Sequence, residues 1–395
     1  MSKIKVVLIV TGFPTDDNPS HGVFNKRAAD LLSEYVDLSV IQLRVLRPGK
    51  RILTLVEEFP YRHYTLSAPF LPHKPFFICK HLSLYKKFGN NRLNSLLLHT
   101  NIFHSVGASF AGILGSLWAE NYRKRNIVQL IGTDVNSELK ELLNLKCVKA
   151  LKEFTYGVGA NTNDLKEKFE ELLGVKENIK VVYRGIDVSN YKYSFPDGSK
   201  VRFLFLGGIP DYKHVESGRN LKGGLTLMES WKSIEKELSV KGCELTFAGP
   251  DSDSQDVIQW KETLKHPANV HLKGILTPQE VLQELNNSHV LLIPSLEEGM
   301  PNVALEGGAT GKCIIASRVG GLPELIDNNE NGVLINPGSA EELGNCLVSF
   351  AGNIELIKEM GIKIREKIKK DFNVSNFVPG YLNIYENAMK MPIRS

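Results

Sequence analysis

The chain of 395 residues contains few cysteines, and no two of them are close together. They stand singly, at Cys79, Cys147, Cys243, Cys313 and Cys346. This spacing argues against a zinc site and against a disulfide framework, and it fits a reducing compartment. Internal repeats and low-complexity tracts are also absent from the sequence, so a repeat array is not indicated.

Long apolar runs are scarce too. Only residues 102–119 approach the length of a membrane span, but this stretch contains His104 and several small residues, and its pattern predicts a buried strand followed by a helix. Residues 1–10 lack a small-residue cleavage site and lead into a Gly/Pro turn, which predicts a first strand rather than a signal peptide. We therefore expect a cytoplasmic protein without a transmembrane anchor.

The net charge of +4 conceals an uneven distribution. Residues 1–190 hold 26 Lys and Arg against 18 Asp and Glu, whereas the rest of the chain holds 22 against 26. Most of the excess lies in residues 44–100, and aromatic residues interleave with the basic ones in residues 69–92. That stretch fits peripheral contact with an anionic membrane, an anionic acceptor, or a helix and loop with solvated lysines. Nucleic acid is not expected, because no recognition motif accompanies the charge.

Short runs rich in Val, Ile and Leu alternate with helical patterns in two series. The first series covers residues 4–183, a polar connection follows at 187–200, and the second series covers residues 201–335. Such alternation predicts an α/β fold with two Rossmann-like, doubly wound domains that face a central cleft. Ligands of such sheets bind beyond the carboxyl ends of the strands. We place the domains at residues 1–188 and 189–373.

The segment from Ser295 to Glu306 carries the strongest signal for a site. It follows a predicted buried strand, and it contains Gly299, which permits a sharp turn, and Pro301, which suits the first turn of a helix. The pattern predicts a strand-to-helix turn with free backbone N–H groups at the start of the helix.

Two carboxylates lie in this segment. Glu298 falls in the turn, and Glu306 lies one helical turn beyond Asn302 on the same face. Carboxylates beside free N–H groups suit a sugar nucleotide, although both residues also fit solvated acids at a helix start and on a helix surface.

Several segments resemble known family motifs. The runs 294–306 and 316–326 resemble the donor-site signature of family 4 glycosyltransferases, and 13–24, 132–135 and 183–187 resemble further family segments. The resemblance implies the glycosyltransferase-B fold and transfer of a sugar from a nucleotide to an acceptor, with retention at the anomeric carbon. It implies no metal and no cofactor other than the nucleotide-diphosphate sugar. It also implies that an amphipathic C-terminal helix, about 374–395, completes the N-terminal, acceptor-binding domain.

The resemblance also implies roles for individual residues. Glu306 would bind the ribose hydroxyls, Glu298 the transferred sugar, and Lys222 the diphosphate. The predicted donor-binding residues are Gly12, Arg219, Lys222, Gly299, Met300, Pro301, Asn302, Val303 and Glu306.

One departure from the family pattern concerns the diphosphate. No arginine follows Leu206, where the chain reads Gly207-Gly208. Arg219 either takes that place or is a solvated loop residue. Gly12, in the loop after the first strand, fits close approach of a phosphate or sugar as well as an ordinary turn.

The predicted catalytic residues are Glu298, His104 and Asp134. Ile131 stands where many family members carry histidine, so either His104 supplies an imidazole or the donor phosphate itself acts as the base. His104 also fits a packed core residue. Asp134 is either a helix cap or an acceptor ligand.

We expect a hexosyltransferase that acts on a glycan or lipid-linked saccharide in cell-surface polysaccharide biosynthesis, at the inner face of the membrane. The alternatives are an epimerase or hydrolase of the same fold, and an inactive module that binds nucleotide sugars.

Overall fold

The computed structural model describes residues 3–15, 21–45, 53–57, 60–68, 91–198, 200–209 and 221–394. The chain forms two compact units. The N-terminal unit comprises residues 1–183 and 377–395, and the C-terminal unit comprises residues 184–376. Each unit is an α/β structure around one sheet.

The sheet of the N-terminal unit has eight strands in the order β3-β4-β2-β1-β5-β6-β7-β8. Neighbouring strands are parallel except β3 and β4, which pair antiparallel. The antiparallel edge is an addition to the parallel sheet predicted from the alternating pattern. The strands are β1 (Lys5–Val10), β2 (Asp37–Val45), β3 (Leu53–Glu57), β4 (Arg62–Ala68), β5 (Ile102–Val106), β6 (Arg125–Leu130), β7 (Thr155–Ala160) and β8 (Ile179–Val181).

Helices cover both faces of this sheet. They are α1 (Val23–Ser33), α2 (Asn91–His99), α3 (Phe110–Tyr122), α4 (Leu139–Leu142), α5 (Cys147–Phe154), α6 (Asn163–Leu173) and α14 (Phe377–Lys390), with a π-helical turn at Asp134–Glu138. Residues 102–119 form strand β5 and most of helix α3, as predicted. No helix in the described part of the chain is both long and apolar enough to cross a bilayer.

Burial on both faces explains the apolar sequences of the central strands. All five residues of β5 and the last five of β1 are buried, because helices lie on either side of a parallel sheet. On one face the core includes Trp118 of α3. On the other, Tyr381 and Tyr385 of α14 pack with residues of β1 and α1. The last helix of the chain is therefore part of the N-terminal unit's core.

The C-terminal unit has a six-stranded sheet in the order β11-β10-β9-β12-β13-β14, and all neighbouring strands are parallel. The strands are β9 (Arg202–Leu206), β10 (Glu244–Ala248), β11 (Val270–Leu272), β12 (Val290–Ile293), β13 (Cys313–Ser317) and β14 (Val333–Ile335). The helices are α7 (Gly224–Val240), α8 (Gln255–Glu262), α9 (Pro278–Asn287), α10 (Asn302–Ala309), α11 (Leu322–Leu325), α12 (Ala340–Phe350) and α13 (Ile354–Asp371).

Each sheet reverses its strand order once. In the N-terminal unit the reversal lies between β1 and β5, and in the C-terminal unit between β9 and β12. Neighbouring strands on the two sides of such a point send their connections to opposite faces, which opens a crevice at their carboxyl ends. The loops after β9 and β12 are therefore the natural location of a ligand site in the C-terminal unit.

Cys147 is disulfide-bonded, which the spacing of the cysteines did not indicate, whereas Cys243, Cys313 and Cys346 are free thiols. Most of the basic, aromatic stretch at 69–92 lies outside the described residues, and only its last two residues, at the start of α2, are described.

Close packing of α13 against the backbone before β13 gives a stability prediction. A Cβ atom at Gly361 would lie 2.1 Å from the carbonyl oxygen of Gly311, and a backbone atom cannot move aside cheaply. We expect Gly361→Ala to destabilise the protein by roughly 1–3 kcal/mol despite the higher helix propensity of alanine. Chemical unfolding followed by circular dichroism measures this effect.

Gly344 in α12 is the matched control. The nearest atom to an added Cβ there is Ser230 Oγ at 3.3 Å, a contact that requires only a small shift. Gly344→Ala should be neutral or stabilising, and equal losses in the two variants would contradict the packing explanation.

Candidate functional site

Two loops of the C-terminal unit meet at the carboxyl ends of β9 and β12. The backbone N–H of Leu296 donates to the carbonyl of Leu221 at 2.8 Å. Gly223 has a φ of 73°, and a Cβ atom there would lie 1.8 Å from the carbonyl oxygen of Pro294. Only glycine permits this approach, which holds the segment 221–223 against the loop after β12.

This contact brings Lys222 to Glu298. The Lys222 ammonium lies 2.6 Å from Oε1 of Glu298, and the Ser295 hydroxyl donates to the same oxygen at 2.9 Å. The Glu298 side chain is 9% exposed and that of Lys222 is 48% exposed, so a nearly buried carboxylate faces a half-exposed cation. Oε2 of Glu298 has no hydrogen-bond partner among the described residues.

A third loop, between β13 and α11, packs against the backbone of the same turn. Gly320 has a φ of 54°, and a Cβ atom there would lie 2.3 Å from the carbonyl oxygen of Glu298. The N–H of Gly321 donates to the carbonyl of Gly299 at 2.6 Å. The pair Gly320-Gly321 is thus a close-approach loop, and its neighbour is the backbone of the turn that carries Glu298.

Helix α10 begins directly after this turn. Pro301 is its N-cap residue and brings no N–H of its own, and helix positions start at Asn302. Within the described part of the chain, the N–H groups of Gly299, Met300, Asn302 and Val303 donate to no protein acceptor. Such donors at a helix start attract anionic and hydroxyl-rich groups.

Glu306 lies one turn into α10, on the face that carries Asn302. Burial raises the pKa of Glu306, and a hydrogen bond from the Tyr191 hydroxyl, at 3.5 Å to Oε1, opposes that rise. The carbonyl of Tyr191 accepts from the Arg365 guanidinium at 2.9 Å. This hydrogen bond joins the segment after β8 to α13, next to the Glu306 carboxylate.

The two glycines after Glu306 allow α10 to pack closely on its neighbours. A Cβ atom at Gly307 would lie 2.5 Å from Leu291 of β12, and one at Gly308 would lie 2.4 Å from Ile368 of α13. Alanine would force these neighbours to move, which explains two residues of low helix propensity inside a short helix.

In the N-terminal unit, Asp134 joins two loops at the carboxyl ends of β5 and β6. Its Oδ1 accepts from the N–H groups of Gly132 at 2.7 Å and Ile131 at 3.1 Å, and its Oδ2 accepts from Ala108 at 2.7 Å. Burial raises the pKa of Asp134, while these three N–H groups oppose the rise. The contacts favour the structural alternative, in which Asp134 organises the loops and the start of the following helical turn.

The structure corrects the interpretation of His104 as a residue that faces a ligand. Its side chain is completely buried, its Nδ1 shares a 2.6 Å hydrogen bond with the Tyr385 hydroxyl, and its ring stacks on Tyr381 at 4.6 Å. Burial lowers the pKa of His104 to about 3, so the ring stays neutral. These contacts make His104 a packing residue between β5 and α14.

Gly12 lies where the loop after β1 closes on itself. Its carbonyl accepts from the Asn25 side chain at 2.7 Å, and a Cβ atom there would lie 2.9 Å from His21 Nε2. The close neighbours of Gly12 are thus residues of its own loop and of α1. Arg219, the proposed replacement for the missing family arginine, lies outside the described residues. No group of three or more His, Cys, Asp or Glu side chains is placed to hold a metal in the described chain.

Comparison with known families identifies the C-terminal unit. Residues 202–353, which include Lys222, Glu298 and Glu306, match the family of glycosyl transferases group 1. The protein is a glycosyltransferase. Its two Rossmann-like halves are those of the glycosyltransferase-B fold, as the sequence resemblance implied.

Relatives of this glycosyltransferase cover most of its length. An uncharacterized glycosyltransferase of Methanocaldococcus jannaschii is 26% identical over 84% of this chain and 87% of its own. A putative teichuronic acid biosynthesis glycosyltransferase of Bacillus subtilis is 21% identical over 99% and 100%. Among solved structures, Anabaena HepE in complex with UDP has a TM-score of 0.70 at 15% identity and covers 97% and 100% of the two chains.

Sequence reasoning missed two members of the candidate site of this glycosyltransferase. Ser295 was within the recognised motif, but its bond to Glu298 was not predicted. Tyr191 lies in the polar connection between the two series of strands, and nothing in that segment pointed to a carboxylate 115 residues away. A hydroxyl-bearing residue in an otherwise polar connection gives no periodic signal that could have found it.

The Tyr191 hydroxyl gives a prediction about the charge of Glu306. A hydrogen bond to the ionised carboxyl lowers its pKa, so Tyr191→Phe should raise the pKa of Glu306 further above its ordinary value. The carboxylate would then be lost at a higher pH as the solution is acidified. A pH titration of the Glu306 carboxyl carbon by NMR measures the change. Tyr193→Phe is the control, and an unchanged titration in Tyr191→Phe would contradict the assignment.

Proposed function

We propose that the protein is a retaining glycosyltransferase that moves a hexose-type sugar from a nucleotide-diphosphate donor to a hydroxyl acceptor. The observation that carries the proposal is the turn between β12 and α10. This turn carries the carboxylates Glu298 and Glu306 and the free N–H groups between them, at the reversal point of the C-terminal sheet. Lys222, from the loop before α7, lies beside Glu298. Crevices at such points bind nucleotides in other α/β proteins.

Glu306 and Lys222 are suited to bind the nucleotide part of the donor. An ionised carboxylate accepts from both hydroxyls of a ribose, and Glu306 is half-buried one turn into the helix. Lys222 has three donor hydrogens, and its ion pair with Glu298 uses one of them. The other two are available for diphosphate oxygens, together with the N–H groups at the start of α10.

Glu298 is suited to bind the transferred sugar. Oε1 of this carboxylate is held by Lys222 and Ser295, which fixes the plane of the group. Oε2 keeps its acceptor capacity and can receive a sugar hydroxyl. Because the side chain is nearly buried and doubly held, it offers a preorganised acceptor rather than a mobile one.

In this proposal the donor phosphate accepts the proton from the acceptor hydroxyl. The bond from the anomeric carbon to the phosphate oxygen breaks, the acceptor oxygen bonds to the same face, and the acceptor proton passes to the leaving phosphate. His104 is buried and Asp134 is occupied by three backbone N–H groups, so neither is offered as the base. Lys222 and the helix start stabilise the charge that develops on the phosphate.

The relatives support a saccharide acceptor. The Bacillus subtilis relative is named for teichuronic acid biosynthesis, and another relative for amylovoran biosynthesis. Anabaena HepE has been solved with UDP and with UDP-glucose, which supports a nucleoside diphosphate sugar as donor. We propose a glycan or lipid-linked saccharide acceptor in cell-surface polysaccharide biosynthesis, reached from the cytoplasmic side.

Donor binding is tested by thermal shift with UDP-, GDP-, ADP- and CDP-sugars. A ligand of the native state raises the unfolding temperature, so one nucleotide class should stabilise the wild type. Glu306→Ala should weaken the binding of that nucleotide class by ~10- to 100-fold, since a charged hydrogen bond contributes about 1.5–3 kcal/mol. Glu341→Ala, an exposed acid in the first turn of α12, is the matched control. Absence of stabilisation by every class would overturn the donor assignment.

Catalysis is tested with Glu298→Gln, which keeps the size and loses the charge. We expect a loss in kcat of ~10²-fold or more with a smaller change in KM for the donor, because the carboxylate contacts the reacting sugar. NMR of the product should show the donor's anomeric configuration. An inverted product would contradict retention, and release of free sugar without acceptor would favour the hydrolase alternative.

A further inference from the structure

The N-terminal unit contains an open cavity of about 440 Å³ at the amino ends of β1, β2 and β4, alongside α2. This volume lies within the ~300–1,000 Å³ range of small-molecule sites. The proposed function uses loops at the opposite, carboxyl edges of the sheets and assigns this cavity no role. Lys5 begins β1 at the cavity, whereas Gly12 follows the other end of the strand, ~20 Å away at the rise of an extended chain.

Cations predominate in the lining. Lys5, Arg62 and Arg92 line the cavity, and Asp37 is the one carboxylate among its described lining residues. Asp37 pairs with Arg62 at 3.2 Å, and both side chains are about 40% exposed. An exposed pair of this kind is weak, and it neutralises one cation of three. The cavity therefore keeps an excess of positive charge.

Two of the basic side chains are positioned by neighbours. The Arg92 guanidinium lies over the Tyr64 ring, 5.5 Å from its centroid, within the range of a cation–π contact. His99 Nδ1 lies 2.7 Å from the carbonyl of Ser95, a hydrogen bond in the tautomer that carries its hydrogen on Nδ1. Both residues are on α2, and each has a neighbouring partner without any ligand bound.

A buried hydroxyl completes the cavity. Ser39 of β2 lines it, is 1% exposed, and makes no side-chain hydrogen bond within the described part of the protein. Thr100, which also lines the cavity, differs in that it donates to the carbonyl of Leu96 at 2.8 Å. Buried hydroxyls normally have partners, so Ser39 is an uncommitted donor in the lining of a basic cavity.

We propose that this cavity binds a small phosphate-bearing anion. A phosphate group presents several acceptor oxygens at once, which match a planar guanidinium, an ammonium and a hydroxyl donor. The phosphate would belong either to a free phosphorylated metabolite or to an anionic lipid headgroup. The cavity lies in the N-terminal unit and the proposed donor site in the C-terminal unit. Mutations can therefore test the two proposals separately.

Isothermal titration with inorganic pyrophosphate at low ionic strength tests the proposal, with sodium chloride as the ionic-strength control. The protein is the full chain in a Lys222→Gln background, which weakens the proposed donor site. We expect a single site, and a loss of at least ~10-fold in affinity in the added Lys5→Gln/Arg92→Gln pair. The matched control is Lys140→Gln/Lys152→Gln, two exposed lysines of the same unit that do not line the cavity.

Sedimentation with vesicles of phosphatidylglycerol, against vesicles of phosphatidylcholine, separates the two sources of phosphate. Pyrophosphate binding that depends on Lys5 and Arg92, without vesicle binding, identifies a soluble phosphorylated ligand. Binding to phosphatidylglycerol that falls in the same double variant identifies a headgroup. Absence of pyrophosphate binding, or equal affinity in the double variant and its control, overturns the proposal. Circular dichroism of each variant verifies that the fold is kept.

Discussion

Contact between backbone segments at the carboxyl ends of β9, β12 and β13 is the constraint on which the C-terminal unit's site depends. Gly223 lies against the carbonyl of Pro294, and Gly320 lies against the carbonyl of Glu298. Any side chain at either glycine would separate the loops. The ion pair between Lys222 and Glu298 is a consequence of this contact, because residues 76 positions apart meet only where the loops are held together.

Sequence patterns predicted much of this arrangement for physical reasons that can be named. Strands β12 and β13 are short and apolar because both faces of a parallel sheet are buried, and Gly299 and Pro301 fit the turn and helix start that follow. The carboxylates could therefore be placed on backbone elements in advance. The pairing of Lys222 with Glu298 could not, because the length and path of an intervening segment decide which side chains meet. Tyr191 was missed for the same reason.

Buried polar residues of the N-terminal unit show a different limit. His104 lies in the apolar run 102–119, and it is completely buried with Tyr381 and Tyr385 from a distant part of the chain. A histidine inside an apolar run has the same sequence signature whether it binds a ligand or a tyrosine hydroxyl. Asp134 is similar, because three backbone N–H groups satisfy it. The role of such a residue depends on its hydrogen-bond partner, and for both residues that partner is not the neighbouring residue in the sequence.

Helix α14 also has a consequence for synthesis of the protein. Six of its side chains, including Tyr381 and Tyr385, are buried in a cluster that contains residues of β1 and α1. A ribosome adds about 5–20 residues per second, so roughly 190 residues between the two parts of this core take on the order of ten seconds or more to emerge. During that interval the N-terminal sheet has α1 on this face but lacks α14, and the C-terminal unit is complete before α14 emerges. The core of the unit that is translated first thus depends on a helix that is translated after the whole of the other unit.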